Sequence, residues 1–497
     1  MRLRSGHLAA ALAACLAACG SRSGLEVPSW SQPNGTDERG ATVPRAEGTG
    51  TAGSPGTLDD SVSGTAGHSD ERTAAPPRDE SAETPRRDEP RPGADRIAPE
   101  TCDGIDNDGD EGVDEGARVE PLPDSDVRVS GDVYLAERGG VTTTATGYAL
   151  TYAAQREPAG DTTGRLKAVG RDGTAAPGFD EVPLTLVNAD SFGGDVAWTG
   201  DVYGVAWQER RNGDFEVYFN RFDGEGRKLG PDVRVSDAPG FSIGPALTWT
   251  GQEFLVTWID HRRGLGDVLG SVPRGGIYAQ RIDAEGRLDG DNVLLSARGF
   301  DALVGGLVRG ASDYGLLVLA DGVRGHSIVF QRVSADFARI GPANVVVEDE
   351  VEDLDMVWQG DRFVVSWHPT DGGAPSNRLL GVALDEDGVA LDGERELVRG
   401  PSFVRSASLL SLGEQLLVVW SDFRNGDYDL YAQLLTRDLD AAGPEIRVTD
   451  AAGDSLFPTA LLADDGDIGI FFDDTRDDGG AWQVFFTRLA CRIPGQP

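Results

Sequence analysis

From residue 126 onward, apolar and polar positions alternate in short runs that are broken by Gly, Asp and Thr-Gly. A period of two predicts strands with one face turned to a core. The runs also recur. Trp198-Thr-Gly-Asp-Val-Tyr-Gly-Val-Ala-Trp207, Trp249-Thr-Gly-Gln-Glu-Phe-Leu-Val-Thr-Trp258 and Trp358-Gln-Gly-Asp-Arg-Phe-Val-Val-Ser-Trp367 are three copies of one unit. Weaker copies run from Thr143 to Tyr152, Ser411 to Trp420 and Ala463 to Phe472, and one with an insertion leads into Tyr314-Gly-Leu-Leu-Val-Leu319. These seven copies span the 320 positions between Thr143 and Ala463, or about 53 residues per repeat.

Each unit reads as a strand, a Thr-Gly-type turn and a Phe/Tyr-x-Val-x-Trp strand. A third strand follows, such as Ile277-Tyr-Ala-Gln-Arg281 or Leu430-Tyr-Ala-Gln-Leu434, and then a fourth, such as Val233-Arg-Val235 or Ile446-Arg-Val448. Four short strands per repeat predict an all-β chain folded as a seven-bladed β-propeller over residues 118–497. A helical solenoid would need a 3.6-residue period and fewer β-branched residues. The last copy, Trp482-Gln-Val-Phe-Phe-Thr-Arg488, stops before a fourth strand. Asp126-Val-Arg-Val-Ser130 matches the fourth strands Asp232-Val-Arg-Val-Ser236 and Glu445-Ile-Arg-Val-Thr449, so the start of the domain is expected to complete the last sheet and close the ring. The repeats resemble the propeller modules of bacterial surface and secreted proteins, loosely akin to WD40-like and sialidase-like propellers. Neither relative's own motif is present, so the resemblance implies architecture alone.

Upstream the composition changes. Arg2 and Arg4 precede a small apolar run from His7 to Cys19 that is too short to span a bilayer, and no other stretch is long and apolar enough. Leu16-Ala17-Ala18-Cys19-Gly20 resembles the lipobox of bacterial lipoproteins. That resemblance implies a signal over residues 1–19, acylation of Cys19 and attachment to a membrane; Gly20 and Ser21, in place of Asp, favour the outer membrane. Residues 20–100 are rich in Gly, Ser, Thr, Pro and charge, and hold a single Trp, Trp30. Such a segment buries too little apolar surface to fold and reads as a disordered tether, with a reach on the order of 50 Å.

Residues 101–117 hold Cys102-Asp-Gly-Ile-Asp106-Asn-Asp108-Gly-Asp110-Glu-Gly-Val-Asp114-Glu115-Gly116. Oxygens at alternate positions of a tight loop can converge on a hard cation, which makes Asp106, Asp108, Asp110, the Gly112 carbonyl, Asp114 and Glu115 candidate ligands for calcium. The run resembles a metal-binding motif of bacterial secreted proteins. Here Gly109 stands at its second Cys, Glu111 replaces the turn Gly, and Ala117 occupies the twelfth position that carries Glu in an EF-hand loop. The chain has four cysteines. With Cys15 in the signal and Cys19 lipidated, Cys102 and Cys491 remain beside the two ends of the repeat array, and an exported protein is expected to join them.

The net charge is −38, with 45 Lys and Arg against 83 Asp and Glu, which argues against nucleic acid as a partner. Four copies carry an acid and an Arg after the central strand: Glu209 and Arg211, Asp260 and Arg262, Asp422 and Arg424, Asp474 and Arg476. Repetition suggests that each caps its turn and pairs with the neighbouring blade, since a ligand site is asymmetric. The long Asp260–Gly276 loop, with Arg262, Arg263, Asp267 and Arg274, and a second loop with Asp371 are the asymmetric candidates for a ligand-binding face. His261, His326 and His368 share no metal-ligand spacing. Tyr218, Tyr278 and Tyr431 recur at one blade position and read as core. No Gly-x-Ser-x-Gly, His-Glu-x-x-His or phosphate loop occurs. The sequence thus predicts a monomeric, non-catalytic module, not an enzyme, that binds a polysaccharide or an envelope protein. The alternative is a propeller-type glycan hydrolase or lyase, which requires carboxylates or a Tyr and Arg cluster converging on the channel mouth.

Overall fold

A computed structural model describes residues 118–492, apart from 124, 158–159, 180, 186–189, 263–274, 297–301, 322–325, 372–373 and 478–479. Cys19, residues 20–100, and the candidate calcium ligands Asp106, Asp108, Asp110, Gly112, Asp114 and Glu115 lie outside the described residues, as does Cys102.

Seven antiparallel sheets follow one another along the chain, and each is a meander of consecutive strands. The first strands are Leu135–Thr144, Ser191–Trp198, Ser242–Trp249, Ala302–Arg309, Val351–Trp358, Val404–Leu412 and Ser455–Leu462, one for each of blades 1 to 7. First strands of successive blades pack together, and the last of them meets the first, so the sheets form a closed ring, a seven-bladed β-propeller.

The Thr-Gly turns explain why the first hairpin of a blade is so regular. The Thr199 hydroxyl accepts hydrogen bonds from the Asp201 and Val202 amides, and Gly200 adopts φ 102°, which a side chain would resist. Thr250 and Gly251 repeat this arrangement one blade on. The Trp that ends each motif is core. Trp207, Trp258, Trp367 and Trp420 are fully buried, and three of them stack on the recurring tyrosines: Trp207 on Tyr218 at 6.1 Å, Trp258 on Tyr278 at 6.3 Å and Trp420 on Tyr431 at 6.1 Å. Trp258→Ala is expected to cost about 3–5 kcal/mol through lost burial and a cavity, read by chemical denaturation.

The seventh sheet is completed from the other end of the domain. Val127 and Arg128 pair with Phe486 and Phe485, and the Val129 amide donates to the Val484 carbonyl at 2.8 Å. The sequence predicted this segment. It did not predict a second piece, Arg118–Pro121, which pairs with Leu489–Arg492 farther along the same strand. Lys167, one of two lysines, holds the closing segment against blade 1 by donating to the Val129 carbonyl at 2.6 Å.

Every first strand carries a β-bulge near its start. In blade 3 the bulge is made by Gly244 at φ 68°, but Asp353, Ser406 and Phe457 occupy the left-handed region at 44°, 46° and 55° in blades 5, 6 and 7. Just beyond the bulge, side chains tie one blade to the next. Asp195 accepts from the Leu247 amide at 2.9 Å, Asp355 from Leu409 at 2.8 Å, and Ser408 from Ala460 at 3.2 Å. Gly140 must be glycine, because a Cβ there would lie 1.8 Å from Asp195 Oδ1.

Candidate functional site

The acid and Arg pairs are built alike and belong to the blades. Glu209, Asp260, Asp422 and Asp474 end the second strands Tyr203–Glu209, Glu253–Asp260, Gln415–Asp422 and Ile468–Asp474. Arg262 grips Asp260 through Nε and Nη2, both at 2.8 Å, donates to Asn292 and lies 4.1 Å over the Tyr278 ring. Arg211 bridges Glu209 and Asp232, Arg424 bridges Asp422 and Glu445, and Arg476 bridges Asp474 and Asp126. The expected pairing with the neighbouring blade is therefore corrected. Each Arg spans from its own second strand to its own fourth-strand segment, across the aromatic residue between them.

Arg262, a candidate for the ligand-binding face, is committed to this clamp. Arg263, Asp267 and Arg274 lie outside the described residues. Asp371 ends the second strand of blade 5, Phe363–Asp371, in register with Ala374. Burial pushes the Asp260 carboxyl up, but Arg262 and the Trp258 indole outweigh it and hold it below the usual carboxylate value. A depressed folded value stabilises the fold at neutral pH and is lost as pH falls through it. Arg262→Ala should therefore cost about 3 kcal/mol at pH 7, because it leaves the Asp260 charge buried and unpaired, and the loss should shrink in acid. Denaturant midpoints at pH 7 and pH 3 test this.

The asymmetric feature is elsewhere, on the second-strand residue that directly follows the end of the repeat motif and the residue across from it on the first strand. In register these pairs are Glu137 with Ala153, Phe192 with Gln208, Ile243 with Ile259, Glu352 with His368, Arg405 with Ser421, and Leu456 with Asp473. They occupy one level of the repeat in blades 1, 2, 3, 5, 6 and 7. Blades 2 and 3 fill it with Phe192, Ile243 and Ile259, which join one apolar cluster with Ala153. Blades 5, 6, 7 and 1 bring Glu352, His368, Arg405, Asp473 and Glu137 instead.

Blades 7 and 1 place two carboxyl groups together. Burial, and then the Asp473 charge, push Glu137 up to about 7. Burial also raises Asp473 to about 6, opposed by the Arg138 charge and the Arg138 amide, which donates to Asp473 Oδ1 at 3.1 Å. Arg138 is anchored in turn by its Nη1 on the Gly139 carbonyl at 3.0 Å and its Nη2 on the Phe457 carbonyl at 2.6 Å. The folded chain keeps protons that the unfolded chain releases above 4.5 and 3.8. Stability is therefore expected to fall as pH rises from about 4 to about 7, since ionisation is penalised only in the fold. Glu137→Gln should flatten that slope in denaturant midpoints measured across the range.

The three histidines lie on separate blades, 3, 4 and 5. His261 Nδ1 meets the Phe241 carbonyl at 2.9 Å, His326 Nδ1 meets that of Val351 at 3.2 Å, and burial holds His368 neutral at about 3. Among the described residues, no group of three His, Cys, Asp or Glu side chains could hold a metal ion. Glu137, Glu352, Arg405 and Asp473 were missed in the sequence. Their signal was available: Asp473 and His368 directly follow the residue that ends the repeat motif, a position held by Gln208, Ile259 and Ser421 in other copies.

No family model matches the chain, and no curated protein sequence matches it. Solved structures do. A protein of unknown function from Dyadobacter fermentans is 13% identical over 76% of this chain and 100% of its own, with a TM-score of 0.45. NanB sialidase from Streptococcus pneumoniae is 11% identical, with 75% and 71% covered and a TM-score of 0.43. An exo-1,5-alpha-L-arabinanase from a bovine ruminal metagenomic library is 11% identical, with 50% and 95% covered and a TM-score of 0.32. The expectation that the chain is not an enzyme is corrected by these comparisons: the named proteins among them are enzymes on similar folds. The likeness extends to fold alone.

Proposed function

We propose that the protein is a propeller-type glycan hydrolase working at the channel mouth, with Glu137 as general acid and Asp473 as general base. The observation that carries this reading is a pair of carboxyls, Glu137 half-buried and Asp473 buried, one protonated and one ionised between about pH 6 and pH 7. Glu137 gives its proton to the glycosidic oxygen as the C–O bond breaks. Asp473 takes a proton from the water that adds to the anomeric carbon, so one water is consumed and two hydroxyl groups appear. Arg138 keeps Asp473 the more acidic of the two. A sugar chain suits the surroundings, since Phe403, which is 47% exposed, directly precedes the first strand of blade 6 and offers a flat apolar face.

The same reading places the enzyme at the cell envelope. Acylation of Cys19 would anchor it to the outer membrane, residues 20–100 would hold the ring clear of the surface, and a Cys102–Cys491 disulfide with calcium on the acidic run would secure the point where the tether enters the ring. Support comes from the lipobox and motif resemblances and from Cys491 lying opposite Val119, in the strand that the closing segment pairs with. Release of reducing ends from a panel of polysaccharides by the full chain tests the activity. No release from any of them at pH 6–7 removes the proposal.

A further inference from the structure

Between blades 2 and 3 lies a cavity of about 220 Å³ that the proposed reaction does not use. It is lined by the third strand of blade 2, Glu216–Phe222, by the segment leading to the fourth, and by a turn of blade 3. Phe219, Leu229, Pro231 and Val233 make it apolar, and Leu229 is 41% exposed. Its charged residues are Arg221 and Arg287 against Glu285, an excess of cations in a chain of net charge −38. Arg221 stands opposite Gly204 near the start of a second strand, whereas Asp473 lies at the end of its own, so the two sites are separate.

The arginine at this register is paired with acid in the next two blades and not here. Arg281 grips Glu253 through Nε and Nη2 at 2.9 and 3.0 Å, and Arg332 grips Asp313 through the same edge at 3.0 and 2.7 Å. In blade 2 the place of that acid is taken by Val202. Arg332 also meets Glu386 and Asp387, in the turn of the following blade, at 3.3 and 2.8 Å. The corresponding turn of blade 3 offers Ala284, whose carbonyl accepts from Arg221 Nη1 at 2.8 Å, and Glu285, which pairs with Arg287 at 2.8 Å. Among the described residues, the Arg221 guanidinium thus has no carboxylate partner. Gly286 keeps space beside it, because a Cβ there would lie 3.1 Å from Arg221 Nε. A guanidinium edge left open beside apolar walls is suited to a carboxylate held by two parallel hydrogen bonds. We infer that this cavity binds a small monocarboxylic acid, with its carboxylate on Arg221 and its apolar body against Leu229 and Pro231. The volume is below the roughly 300 Å³ at which sites for drug-sized ligands begin, which keeps the acid short. The inference does not rest on the hydrolase reading.

The test needs no turnover. The full chain is titrated with phenylpropionate and, separately, with its neutral counterpart phenylpropionamide, and binding is followed by ligand-detected NMR. At least tenfold tighter binding of the acid is expected, because only the acid makes charge-assisted hydrogen bonds to the guanidinium. Arg221→Met should abolish that preference. So should Val202→Glu, which keeps the arginine and supplies the acid that blades 3 and 4 carry at this position. Equal affinity for the two compounds, binding of neither, or a preference that survives either substitution overturns the site.

Discussion

Glu137→Gln is expected to lower kcat on the cleaved polysaccharide by about 10²–10⁴-fold while leaving KM within a few-fold, because it removes a proton donor and keeps the shape of the side chain. Asp473→Asn should do the same. The two effects should not multiply in the double variant, since a carboxyl pair acts as a unit. The wild-type profile of kcat/KM should be bell-shaped, with its maximum between about 6 and 7, because activity needs Asp473 ionised and Glu137 protonated. Asp473→Asn should remove the acidic limb and Glu137→Gln the alkaline limb from whatever rate remains. Arg138→Met offers a sharper check. It takes away the charge that lowers Asp473, so the acidic limb should move to higher pH while the alkaline limb stays. Activity that survives Glu137→Gln unchanged would rule out the assigned acid.

The second large effect concerns closure. A chain that begins after Ser130 lacks both segments that pair with Gln483–Arg492, and leaves that strand as an open edge. Val119 and Val129 are buried, and their loss alone removes about 3–6 kcal/mol of apolar burial. The Val129 carbonyl that receives Lys167 and the Asp126 carboxylate that receives Arg476 go with them. The truncated protein is expected to melt at least 10 °C lower and to self-associate through its open edge. A peptide of residues 118–131 supplied in trans should restore part of the loss. A truncated chain with an unchanged melting point would show that the ring is held by its inner contacts alone. The full-length variant Val129→Pro, which deletes a single ladder donor to Val484, should give a smaller shift of the same sign.

These two predictions draw on different kinds of information. Closure was legible in the chain, because Asp126–Ser130 repeats the pattern of fourth strands that the last copy lacks. The clamps were half legible. Glu209 with Arg211 and Asp260 with Arg262 were visible as repeated pairs, but their partners Asp232 and Asn292 were not, so the pairing was assigned to the wrong neighbour. The site was not legible. The sequence drew notice to Asp474, which recurs, and passed over Asp473, which does not.

What the sequence by itself determined is what repeats: the strand alternation, the Thr-Gly turns, the buried Trp and Tyr stacks, the count of seven and the borrowed outer strand. Each follows from local sterics and from burial along a single hairpin, so each is written into every copy. What only the tertiary structure decided is which unlike residues meet where blades 7 and 1 join. Arg138 and Asp473 meet across 335 positions because the ring closes there, and Glu137 is half-buried beside them for the same reason. A carboxyl acquires a shifted proton affinity from the low-dielectric walls and charges around it. Those surroundings come from strands of blades 1 and 7, and exist only once all seven sheets have closed.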